Sequence, residues 1–216
     1  MRAMSRVTAK ICGLTTVPTL DAAIAGGASH VGFMFFPKSP RNITAEQAKA
    51  LTNRTPADVA RVGVFVDPDD AFLDEAVRSG LTALQLHGSE TPERVAALKR
   101  RHGLEVWKAV PVRTRADLAA AAQFRGAADR ILYDAKPPAG VDIPGGLGMR
   151  FDWTLLDGFA HPLPWALSAG LDAENIADAV AITRASLVDV SSGVESTRGV
   201  KDVDKIMGFL QSVARL

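Results

Sequence analysis

Short apolar strands alternate with helices eight times between Val7 and Ala214, and this alternation limits the possible folds more than any other feature. The strands read as Val7–Cys12, Ser29–Phe35, Arg61–Val66, Ala83–Leu86, Val106–Ala109, Arg130–Tyr133, Pro164–Leu167 and Leu187–Val190. They are rich in Val, Ile, Leu and Phe, as strands of a parallel sheet covered on both faces must be. Between them the spacing predicts helices over Val17–Ala25, from Thr44 to about Asn53, from Asp67-Pro68-Asp69 to Ser79, from Thr91 to about Arg101, from Thr114 to about Phe124, over a short Phe151–Leu156, and over Ala173–Ala181 and Asp202–Ala214. Thr44, Thr91 and Thr114 supply side-chain oxygens for the first helical amides, while Gly26-Gly27, Gly80 and Gly103 mark helix ends. Eight βα units in 216 residues predict an α/β fold, a compact (β/α)8 TIM barrel, as a single domain over residues 1-216. A doubly wound open sheet is the alternative.

Charge and cysteine content narrow the function classes. The formal net charge is +1, so no global field draws nucleic acid or an anionic membrane, and any anionic ligand must be held locally. The single cysteine, Cys12, excludes an internal disulfide framework and a cysteine zinc cluster. Residues 1–9 carry Arg2 and Arg6 but no apolar core of a secretory signal, and no apolar run reaches the ~18 residues that span a bilayer. The expectation is a cytoplasmic protein with no nucleic-acid or membrane partner, no metal, and monomeric or homodimeric.

In a barrel of this kind the chemistry sits where strands end. The predicted ends carry Cys12, the Pro37–Arg41 loop, Asp67, His87, Asp134, Ser168-Ala169-Gly170, and Asp189 followed by Ser191-Ser192-Gly193. Lys10 and Cys12 are two apart on one strand and share a face, so the ammonium is expected to lower the thiol pKa. The competing reading is a buried structural cysteine beside a snorkelling lysine. Asp67 precedes Pro68 and is expected to cap a helix, and His87 reads equally as a satisfied rim histidine. A cap role does not suit Asp134, because the long Lys136–Gly148 loop follows it. The turns after strands 7 and 8, with Gly145-Gly146-Leu147-Gly148, are placed and composed to cradle a phosphate with backbone amides. Cys12 and Asp134 lie three strands apart in an eight-strand ring, which lets them act on opposite sides of one substrate.

These stretches also carry a resemblance. Lys10-Ile11-Cys12-Gly13-Leu14-Thr15, Ser39-Pro40-Arg41, Leu84-Gln85-Leu86-His87-Gly88, Asp134-Ala135-Lys136, Phe151-Asp152-Trp153, Ser168-Ala169-Gly170-Leu171 and Asp189-Val190-Ser191-Ser192-Gly193-Val194-Glu195 occur in the family order from first strand to last helix. The chain resembles the phosphoribosylanthranilate isomerases of tryptophan biosynthesis. That resemblance implies an Amadori rearrangement of an aminoaldose phosphate to 1-(2-carboxyphenylamino)-1-deoxyribulose 5-phosphate, without cofactor or metal. It implies Asp134 as general acid and Cys12 as general base. It further implies Lys10, Arg41, His87 and Asp189 as substrate-binding residues, with Arg41 on the anthranilate carboxylate and Asp189 on a sugar hydroxyl. Phosphate falls to Gly146, Gly148, Gly170, Ser192 and Gly193. Two stretches depart from the family pattern, Leu147 where Thr is usual and Ser168-Ala169-Gly170-Leu171 where Ala-Gly-Gly-Leu is usual, and both lie in the phosphate region. The competing functions are an isomerase that also accepts the analogous histidine-pathway aminoaldose, against which Cys12 argues because such proteins use two aspartates, and a non-catalytic phosphosugar-binding barrel.

Overall fold

The computed structural model describes residues 6–137 and 148–216. Eight parallel strands close into a barrel in sequence order: β1 (Thr8–Cys12), β2 (His30–Phe35), β3 (Ala60–Phe65), β4 (Ala83–Leu86), β5 (Glu105–Val112), β6 (Arg130–Ala135), β7 (Trp165–Leu167) and β8 (Leu187–Val190). The ring shuts where β1 pairs with β8, Lys10 opposite Asp189 and Ile11 opposite Val190. The open-sheet alternative is thereby set aside.

Alternation along the strands divides the core in two. Val62, Ala83, Trp107, Ala109, Leu132, Ala166 and Leu187 pack inside the barrel, and a larger apolar layer lies outside under the helices. That outer layer receives α1 (Val17–Ala25), α2 (Ala45–Thr52), α3 (Asp70–Val77), α4 (Pro92–His102), α5 (Ile176–Thr183) and α6 (Val203–Ala214). Thr44 and Gln47 form the reciprocal cap of α2, and Thr91 accepts from the Arg94 amide to start α4.

Three local expectations need correction, and one element was not foreseen. Residues Arg115–Phe124 wind as a 3-10 helix rather than an α-helix; Asp117 gathers the amides of Arg113 and Thr114 at its start and tightens that turn. Asp67 does not cap α3, because Asp69 accepts from the Phe72 amide instead, and Asp67 reaches across to the Ser89 amide. α5 begins at Ile176, since Asp172 Oδ1 holds the amides of Glu174 and Asn175 in a turn that displaces the first predicted helical residues. An unforeseen antiparallel hairpin, β9 (Glu195–Thr197) and β10 (Val200–Lys201), stands between β8 and α6. Of the loop after β6, residues 138–147, which include Gly146 and Leu147, lie outside the described residues.

Candidate active site

Cys12 closes β1, 4% exposed, and Gly13 behind it turns the chain at φ 78°. A side chain at Gly13 would meet Arg41 Cδ at 2.7 Å, so the turn and the passage of Arg41 over it both require glycine. Gly32 on the next strand leaves the space for the thiol, since a Cβ there would lie 2.9 Å from Cys12 Sγ.

Lys10 points to the same interior face and is 0% exposed. Its Nζ donates to Asp189 Oδ1 at 2.9 Å. Burial works against the ammonium, but Asp189 and Cys12 together outweigh it and hold Lys10 charged, its pKa raised. The thiol behaves differently from the expectation of a lowered pKa. Burial, reinforced by the negative Asp189, raises the Cys12 pKa above its ordinary value; Lys10 and Lys201 pull it down and do not prevail.

Asp134 stands one residue before the end of β6, across the barrel, and is buried. Its Oδ1 accepts from the Ala135 amide at 2.8 Å, and its Oδ2 lies 3.1 Å from His87 Nε2. His87 follows β4, and its position is fixed from below. Buried Glu90 accepts from the amides of Asp67 and Gly88, and Lys108 donates both to Glu90 and to the Leu86 and Gly88 carbonyls. Sequence reading missed this brace, for Lys108 and Glu90 carry no local motif.

The small-residue turns come together as the spacing predicts. Asp134, Gly148, Ser168, Ala169, Gly170, Asp189, Ser191 and Ser192 line a single pocket. The turn after β7 and the 3-10 turn Ser192–Val194 after β8 touch backbone to backbone: a Cβ on Gly193 would collide with the Leu171 carbonyl oxygen. Ala169 stands at φ 83°, a left-handed conformation costly for any residue but glycine. Cys12 is not on the wall of this pocket; Asp189, paired to Lys10, joins the two. Gly146 lies outside the described residues.

Arg41, 2% exposed, reaches from the loop after β2 to the β9–β10 hairpin. Its Nε donates to Glu195 Oε1 at 2.6 Å and its Nη2 to Glu195 Oε2 at 2.9 Å. Lys201 adds a bond to Glu195 Oε1 at 2.5 Å and others to the Ser191 carbonyl and hydroxyl. Burial pushes the Glu195 carboxyl up, yet the bonds from Arg41 and Lys201 win and hold it down at about 2. Glu195 was legible only as part of a motif. Arg41 and Glu195 are 154 residues apart, so no local pattern links them. Among the described residues no group of three or more His, Cys, Asp or Glu side chains is placed to hold a metal ion.

The chain matches the family of N-(5'phosphoribosyl)anthranilate (PRA) isomerases over residues 9–212. It is 54% identical over 211 residues to the N-(5'-phosphoribosyl)anthranilate isomerase of Zymomonas mobilis subsp. pomaceae, covering 97% of this chain and 99% of that one. It is 52% identical over 207 residues to that of Paramagnetospirillum magneticum, covering 95% and 96%. Among solved structures it is similar to the phosphoribosyl anthranilate isomerase of Thermotoga maritima, at a TM-score of 0.84 and 38% identity over 97% of this chain and 100% of that one. A phosphoribosyl anthranilate isomerase in complex with reduced 1-(o-carboxyphenylamino)-1-deoxyribulose 5-phosphate superposes at a TM-score of 0.82 with 37% identity, covering 97% and 100%.

Proposed function

This chain belongs to the N-(5'-phosphoribosyl)anthranilate isomerase family, and on that premise we propose that Asp134 is its general acid and Cys12 its general base. The reaction is an aldose–ketose isomerisation in tryptophan biosynthesis, taking N-(5'-phosphoribosyl)anthranilate to 1-(2-carboxyphenylamino)-1-deoxyribulose 5-phosphate.

The pocket that joins Asp134 and Asp189 to Gly148, Gly170 and Ser192 carries the reading. Phosphate lies against the backbone of Gly148, Gly170, Ser192 and Gly193, where amide dipoles and tight turns suit an anion. The ribose then extends toward Asp134 and His87. Asp134 protonates the furanose oxygen, the ring opens, and the nitrogen lone pair forms an iminium. Cys12, as thiolate, takes the C2 proton, and the electron pair of that C–H bond moves into the enolamine, which tautomerises to the ketone. Asp189 receives a sugar hydroxyl, while Lys10, fully buried, acts on the substrate only through Asp189 and Cys12. Arg41 meets the anthranilate carboxylate with Glu195 setting the plane of its guanidinium.

The ligand is a small phosphosugar, and since one chain supplies every wall of the described pocket the reading holds for a monomer and a homodimer alike. A dimeric form is known for the Thermotoga maritima protein. We take residues 1–216 as one domain, because a single ring of strands receives all the helices. A phosphorylated intermediate and an unpaired thiol fit a reducing cytoplasm; no described helix is long and apolar enough to cross a membrane.

Fluorescence-monitored turnover of freshly made phosphoribosylanthranilate tests the acid–base pair. Cys12→Ser and Asp134→Asn should each lose at least ~10²-fold in kcat with the circular dichroism spectrum intact. Retention of kcat within a few-fold in either variant removes that residue from its role.

A further inference from the structure

We propose that Gln85 is a positioning residue for the general acid: its amide locks the neutral Nε2–H form of His87, which turns the proton of Asp134 away from the imidazole and toward substrate. The proposal rests on Asp134 being the acid.

Gln85 is on β4 and points into the barrel, two residues before His87 on the same face. It is 1% exposed. Its Nε2 lies 3.2 Å from His87 Nδ1, and His87 Nε2 lies 3.1 Å from Asp134 Oδ2. A carboxamide nitrogen only donates, so His87 Nδ1 must accept, and in a neutral ring the proton then resides on Nε2. That N–H donates to Asp134 Oδ2. The Ala135 amide meets the other oxygen, Oδ1, at 2.8 Å. Asp134 is thus surrounded by donors on both oxygens. When it carries a proton, no lone pair of His87 is there to take it, and the open direction is the pocket that Asp134 lines.

The opposite tautomer would reverse this. With the proton on Nδ1, the Nε2 lone pair would face Asp134 Oδ2 and hold the acidic proton between them. Only the side-chain oxygen of Gln85 would favour that state, by accepting from Nδ1–H. In the observed orientation that oxygen, Oε1, is buried and has no partner among the described residues. Across the β4–β5 register stands Trp107, whose buried Nε1 donor likewise has no partner among the described residues. Proton accounting is simple: the proton leaves Asp134 Oδ2 for the substrate ring oxygen, His87 keeps its own, and the new carboxylate is met by two N–H donors. A buried glutamine that merely filled space would have no reason to present its nitrogen to the one imidazole that touches the acid, since a leucine fills a similar volume without burying an amide.

The test joins kinetics to a direct view of the ring. In wild type, 15N–1H correlation spectra of His87 should show a pyridine-type Nδ1 and a pyrrole-type Nε2. Gln85→Glu replaces the donor with an acceptor and should move the proton to Nδ1 or charge the ring, with kcat falling by about 10- to 100-fold and KM changing by less than about threefold. Gln85→Leu, which keeps the bulk, should leave the ring as a mixture of tautomers with a smaller loss of kcat. A wild-type ring protonated on Nδ1 overturns the proposal, as does a Gln85→Leu protein with unchanged tautomer and kcat. If Gln85→Glu does not fold, the wild-type spectrum and Gln85→Leu still decide. Asp134→Asn separates the two levels: activity retained there defeats the acid assignment, whereas loss there with indifferent Gln85 variants defeats only the role of Gln85.

Discussion

The guanidinium of Arg41 meets the carboxylate of Glu195 fork to fork, Nε to Oε1 at 2.6 Å and Nη2 to Oε2 at 2.9 Å, with both side chains buried. Lys201 shares the same carboxylate, so one anion serves two cations. Glu195→Gln removes the carboxylate that Arg41 and Lys201 share, and breaking a buried pair by removing one member costs about 3–5 kcal/mol. The urea midpoint should fall accordingly. Stability should also lose part of its pH dependence. The Glu195 carboxyl is held at about 2, against 4.5 ordinarily. Its contribution is complete above about 4.5 and is lost as pH falls from there toward 2, because the unfolded chain takes up the proton first. Denaturation curves for wild type should decline in that window, and those for Glu195→Gln should decline less. If Arg41 reads the anthranilate carboxylate, the KM penalty of Glu195→Gln should shrink for a substrate analogue lacking that carboxylate.

The environment of Cys12, the proposed base, opposes its ionised form, and this sets the direction of the pH–rate profile expected from that role. Burial raises the thiol above its ordinary 9.0, and Lys10 moderates that rise. A base must be deprotonated to act, so kcat/KM should climb with pH and its midpoint should lie on the alkaline side. Lys10→Met removes the nearest cation and also frees Asp189 to repel the thiolate more strongly. The limb should move to still higher pH, with kcat/KM at pH 7 lower by ~10-fold or more. A midpoint near neutrality in wild type would contradict the burial argument.

Ala169 bears on the strand-7 turn in a way its sequence only hinted at. The family resemblance marks the position as one usually held by Gly, and the chain here adopts φ 83°. A left-handed alanine costs about 1–2 kcal/mol, of which the greater unfolded-state freedom of glycine returns part to the other side. Ala169→Gly should therefore stabilise the protein by about 0.5–1 kcal/mol, visible as a rise in Tm of about 2 °C. Unchanged or lower Tm would show that the Ala169 methyl, which is buried, earns more in packing than its backbone loses.

What the sequence disclosed follows the reach of each signal. Strand and helix order came from local periodicity and end signals, so the barrel and the ring of strand-end residues were legible. Cys12 is readable because it closes β1, and Asp134 and Asp189 because each stands one residue before the end of its strand. The sign of the Cys12 shift was not legible: the distance to Lys10 along the strand is local, but burial is a property of the whole ring. The same limit hid the Arg41–Glu195 fork, the Lys108–Glu90 brace and the β9–β10 hairpin, whose partners meet only after the barrel closes. Asp67 misled because Asp-Pro is a cap signal at short range, whereas Asp69 stands where the first free amides of α3 point.

Gly193 provides the sharpest test of where phosphate sits. Any Cβ at this position would strike the Leu171 carbonyl oxygen, a backbone atom that cannot swing aside as a side-chain tip would. Gly193→Ala must therefore push apart the turns after β7 and β8, whose backbones form the proposed phosphate cradle. Overpacking of this size costs about 1–3 kcal/mol, so the variant should fold with a lowered Tm. Neither Cys12 nor Asp134 touches this contact, and the chemical step should be spared. KM for phosphoribosylanthranilate should rise by about tenfold or more while kcat changes little, and inorganic phosphate should become a weaker competitive inhibitor by a similar factor. Equal loss in kcat and kcat/KM, with phosphate inhibition unchanged, would move the phosphate away from these turns and leave the close approach of Gly193 to Leu171 as a matter of packing alone.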